Sequence, residues 1–73
     1  MTHYTRADLD MADRHIAEGE AHILRQEKIV TRLHSNGAPT GEAENLLRLL
    51  NETQAEHRRH RRAIVEALEG TGR

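Results

Sequence analysis

Cysteine, tryptophan and phenylalanine are absent, and Tyr4 is the lone large aromatic of a 73-residue chain. Without Cys there is neither a disulfide framework nor a thiolate metal site. Without large rings there is no stacking platform for nucleic-acid bases and no bulky anchor for a core. Charge of one sign is missing too: 11 Lys and Arg offset 12 Asp and Glu, leaving a formal net charge of −1. Such a chain projects no long-range field toward polyanions or anionic lipid, so any binding of that kind has to be local. No run approaches the roughly 18 apolar residues of a membrane span, and residues 1–5 hold no apolar leader core. The expectation is a cytoplasmic protein with no membrane or nucleic-acid partner.

Leu, Ile and Val are also scarce, 14 of 73 residues, near the level at which chains stop folding. The small net charge nevertheless argues against an expanded chain. Residues 1–73 form at most one domain, near the size where a single core supplies only about 3–5 kcal/mol of net stability. With no disulfide to help, association is the most available support.

What is present is period. Thr5 is a candidate N-cap, with Asp8, Asp10 and Asp13 placing negative charge near the first turns. Leu9, Ile16, Ile23 and Val30 then recur every seven residues, and Ala12, Gly19, Gln26 and Leu33 follow each by three, an a/d seam. Asn36 and Gly37 supply the stop signal and Pro39 prevents continuation. Thr40 is a second N-cap candidate, with Glu42 and Glu44 behind it. The 3-4 spacing restarts at Ala43, Leu47, Leu50, Gln54, His57, Arg61, Ile64 and Leu68, and Gly70, Thr71 and Gly72 end it. The reading is all-α: helix 1 over about 6–35, a turn over 36–40, helix 2 over about 41–69. A connection this short makes the helices antiparallel neighbours.

One register pairs Leu33 with Leu47, Val30 with Leu50, Gln26 with Gln54, Ile23 with His57, Gly19 with Arg61, Ile16 with Ile64 and Ala12 with Leu68. It sets apolar against apolar at both ends and polar against polar in the middle. A slip of one heptad sets Gln26 against Leu47 and Ala12 against Arg61, which is worse on desolvation grounds. The first register is therefore preferred. Leu24, Ile29, Leu46, Leu49 and Val65 flank the seam and need cover. The simplest cover is a second hairpin, giving a homodimeric four-helix bundle. The candidate interface is Ile16, Ile23, Val30, Leu33, Leu46, Leu47, Leu50, Ile64 and Leu68. Gln26, Gln54, His57 and Arg61 form a candidate polar layer that gives up stability for register and specificity.

The residues His15-Ile16-Ala17-Glu18-Gly19-Glu20, Gln26 with Val30 and Leu33, Gly37 with Thr40, Ala43 with Leu46-Leu47, and His57 with Arg61 carry a resemblance. Over residues 15–68 the chain resembles a group of small helical-hairpin proteins common in alpha-proteobacteria. The resemblance implies a helical hairpin and a bacterial origin, and it implies no activity, cofactor or functional residue.

Six His in one small chain raise metal binding as an alternative. Glu18 with His22, and Glu56 with His60, are spaced four apart, but di-iron bundles use Glu and His three apart on the core face. His22 flanks the seam and could approach His57, giving two imidazoles per chain. The bland reading, exposed or hydrogen-bonded His, is preferred, so no metal ligand and no cofactor is assigned. Arg58-Arg59-His60-Arg61-Arg62 is the only charge run, but five successive residues span about 500° of helical arc and make no single patch. Glu18 and Glu20 are expected across from it. Ser35, the sole Ser, sits beside His34 with no oxyanion hole or cleft, so catalysis is not expected. The sequence therefore points to a non-enzymatic interaction module, a homodimer or a hairpin docked on another protein. The alternative is a small metal- or ligand-binding bundle centred on the His/Gln/Arg layer.

Overall fold

The computed structural model describes residues 3–71 as two helices, α1 (Arg6–Ser35) and α2 (Gly41–Thr71), lying antiparallel along one another. Met1, Thr2, Gly72 and Arg73 lie outside the described residues, and with them part of the segment read as lacking a leader and one of the glycines expected to end α2. No strand occurs among the described residues, and no helix there is long and apolar enough to cross a membrane.

Each end of α1 is fixed by local chemistry. Thr5 is extended (φ −120°, ψ 170°), its hydroxyl accepts the Asp8 N–H at 3.3 Å, and the Asp8 carboxylate accepts the Thr5 N–H at 2.8 Å. This reciprocal capping box satisfies two backbone donors that the first turn would otherwise orphan. At the other end Gly37 takes φ +69°, the one positive φ among the described residues. That conformation lets the Ala38 N–H reach the Leu33 carbonyl at 2.9 Å and the Gly37 N–H reach that of His34 at 3.1 Å. The pair of bonds is a complete Schellman motif. At the start of α2, Thr40 contributes its carbonyl, which accepts the Glu44 N–H at 2.8 Å, and the hydroxyl expected to cap the helix makes no hydrogen bond. The helix continues through Gly70 to Thr71, where the sequence had suggested a stop near 69.

The molecule is a rod, 57 × 17 × 13 Å, with a radius of gyration of 16.6 Å against about 11 Å for a compact chain of this length. Its accessible surface is 5709 Å², where a folded monomer of this mass exposes about 4,600 Å². Every seam position named from the sequence is at least half-buried, yet the only buried apolar side chains among the described residues are Ala12 and Ile64.

The register differs from the expected one. Gln54, not Arg61, lies over Gly19: the two helices pack one heptad away from the preferred pairing, in the arrangement that desolvation had disfavoured. Long polar side chains explain the difference. Gln26, at the level of Leu47, turns its amide to the Ala43 carbonyl at 3.0 Å. Gln54 donates to the Ile16 carbonyl at 2.8 Å. Arg61, at the level of Ala12, extends its guanidinium out of the seam to the Asp13 carboxylate. A helix carbonyl has a second lone pair, so neither glutamine needs a polar partner at its own level.

Candidate functional site

Heptad position sorts the residues flanking the seam onto two faces, and the structure shows that the faces differ in chemistry. One carries Glu20, Leu24, Glu27, Asn51, Ala55 and Arg58 around a shallow depression. Arg58 meets Glu20 at 3.0 Å, and Arg61 reaches Asp13 on the same side. Val65, one heptad beyond Arg58, belongs here too. This is an ion-pair face with isolated aliphatic groups.

The opposite face holds a groove of about 130 Å³ lined by His15, Glu18, Gly19, His22, Leu50, Thr53, Gln54 and His57. The imidazoles of His15 on α1 and His57 on α2 meet across it, ring centres 5.3 Å apart and tilted by 42°. No hydrogen bond engages a ring nitrogen of His15, His22 or His57. Toward the turn, Ile29 follows His22 by one heptad and Leu46 precedes Thr53 by one, with Leu49 one turn from Leu46. Ile29, Leu46 and Leu49 are 37%, 47% and 50% exposed, so this face carries an uncovered aliphatic cluster beside its imidazoles. Toward the open end, Tyr4 packs edge-on against His60, ring centres 5.7 Å apart.

Gln54 joins the two faces. Only 5% exposed, it donates to Ile16, while its Oε1 is buried without a partner. Gly19 makes room for it, since a β-carbon there would fall within 2.8 Å of Gln54 Cδ. Gln26, at 7%, is buried and bonded.

No protein-family model, curated protein or solved structure matches this chain.

The candidate site residues therefore separate. Of the interface set, Ile16, Ile23, Val30, Leu33, Leu47, Leu50, Ile64 and Leu68 are used within the hairpin's own seam, and Leu46 alone stays exposed. Leu24 and Val65 do not join Ile29, Leu46 and Leu49, because they lie on the ion-pair face. Of the polar layer, Gln26 and Gln54 are buried, whereas His57 and Arg61 are half-buried and leave the seam on opposite faces. The ring partner of His57 is His15, not the expected His22, which lines the groove one heptad away. In the arginine run, Arg58 takes Glu20, Arg59 takes Glu56 of its own helix, and Arg61 takes Asp13; Glu18 lines the groove instead. Two participants were missed, His15 and Asp13. The signal for His15 was the seven-residue interval joining it to His22 and Ile29.

Proposed function

We propose that this chain is a non-enzymatic interaction module that pairs with a second copy of itself through the groove face, building a four-helix bundle in a bacterial cytoplasm. The observation carrying this reading is the burial deficit. Only Ala12 and Ile64 are buried apolar side chains among the described residues, while Ile29, Leu46 and Leu49 stand exposed together on one face. Each of the three is already about half covered, so burying the remainder recovers about 0.6–1.5 kcal/mol apiece, a sizeable share of a small domain's stability.

The dimensions suit a second copy. A face 57 Å long and 17 Å wide projects roughly 1,000 Å², and a stable interface takes about 800 Å² from each partner. Twofold pairing sets the same face against itself, and that face lacks the ion pairs of the other. The arginine run is engaged by carboxylates at three of its positions, which favours protein over nucleic acid as the partner. Sedimentation equilibrium across a wide concentration range tests the proposal. The expected result is twice the chain mass at micromolar concentration, and a stably folded monomer throughout would overturn it.

A further inference from the structure

We propose that the groove is half of a divalent transition-metal site, best suited to zinc, which the second copy completes; this rests on the self-association proposed above. Within one protomer, no group of three or more His, Asp or Glu able to hold a metal forms among the described residues. Two imidazoles do face each other from different helices, His15 and His57, at 5.3 Å between ring centres. Two imidazoles bound through nitrogen to one tetrahedral zinc, at about 2.0–2.1 Å each, place their ring centres roughly 5 Å apart. The ring nitrogens of both are unclaimed by hydrogen bonds, so ligation displaces no protein contact.

Symmetry supplies the missing donors. The groove is centred on Gly19, close to the midpoint of α1. A twofold axis along the rod brings each level of the face onto its own copy. In that arrangement the two histidine grooves oppose each other level for level, so His15 and His57 of each chain offer four nitrogen donors to one ion. Imidazole donors select zinc, copper and nickel over magnesium and calcium. Glu18 lines the same groove, where its carboxylate can accept the remaining N–H of a ligating ring and hold its orientation.

The test uses untagged full-length chain, stripped with a chelator and dialysed against micromolar zinc. Bound zinc is measured by elemental analysis and chain mass by sedimentation in the same samples. The expected result is one zinc per two chains, with affinity at least tenfold weaker in His15→Ala and in His57→Ala and unchanged in His34→Ala, which lies outside the groove. Tetrahedral cobalt absorption on substitution supports the same donor set. A dimer that retains no zinc overturns the metal site while leaving the self-association standing. A chain monomeric with and without zinc overturns both. Zinc held equally well by the His15→Ala/His57→Ala double variant overturns the assignment of these ligands.

Discussion

The side-chain amide of Gln54 rests against Gly19, close enough that a β-carbon on Gly19 would fall within 2.8 Å of Gln54 Cδ. In an exposed helix interior, Gly→Ala stabilises by about 1 kcal/mol. Here that gain is offset, because the amide at the flexible end of Gln54 must swing aside and give up its bond to the Ile16 carbonyl, worth about 1 kcal/mol. Gly19→Ala should therefore fall short of the usual gain by about 1 kcal/mol, and in a Gln54→Ala background the full gain should return. Thermal unfolding of the single and double variants completes the cycle, and independent effects would show that the two residues do not touch.

Gln54 itself leaves Oε1 buried and unbonded. An orphaned buried acceptor costs about 1–3 kcal/mol, whereas the bond to Ile16 contributes about 1 kcal/mol. Gln54→Met, which keeps the unbranched shape, should therefore raise the melting temperature by a few degrees. Calorimetry measures it, and a fall would mean that the amide is worth more than its orphaned oxygen costs.

Gly37 adopts φ +69°, and Gly41 has open space around it without such a constraint. Gly37→Ala should cost about 1 kcal/mol through left-handed strain at the Schellman turn. Gly41→Ala should be neutral or mildly stabilising. Denaturant midpoints compare the pair, and equal effects would remove the turn from its special position.

Leu46 and Leu49 are about half exposed on the groove face, and Leu24 is similarly exposed on the ion-pair face. Leu46→Glu with Leu49→Glu places like charges against their copies and should shift the dimerisation midpoint at least tenfold higher in concentration. Leu24→Glu should leave that midpoint within about threefold. Sedimentation distinguishes the faces, and a larger effect from Leu24 would relocate the interface.

Arg61 and Asp13 form an ion pair whose side chains are 43% and 51% exposed. Pairs this wet are worth at most about 1 kcal/mol and weaken with salt. Asp13→Asn should thus lower stability by less than that, with the difference shrinking as sodium chloride rises toward 1 M. A larger, salt-independent loss would indicate a pair far better shielded than its exposure implies.

Much of the hairpin was legible from sequence because its signals are local. Leu9 to Leu33 by sevens and threes, the cap at Thr5, and Gly37 followed by Pro39 each speak within a few residues. Register was not legible, since it depends on where flexible side chains end. Gln26 and Gln54 look as though they need one another, but each finds a backbone carbonyl on the opposite helix. The heptad pattern pairs Arg61 with Gly19, yet its guanidinium leaves the seam for Asp13. The groove was half legible: the recurrence of His15, His22 and Ile29 marks one line along α1, but only the true register brings His15 to His57.

The turn at Gly37 also sets an order of events. Cross-hairpin contacts lie at growing distances along the chain: 17 residues for Gln26 with Ala43, 38 for Gln54 with Ile16, and 48 for Arg61 with Asp13. Closing the turn brings the first pair together across a small loop, and each later pair then closes only the short remainder left by its predecessor. Zipping from the bend is therefore the expected route, and a defect at Gly37 is expected to slow assembly along the whole rod.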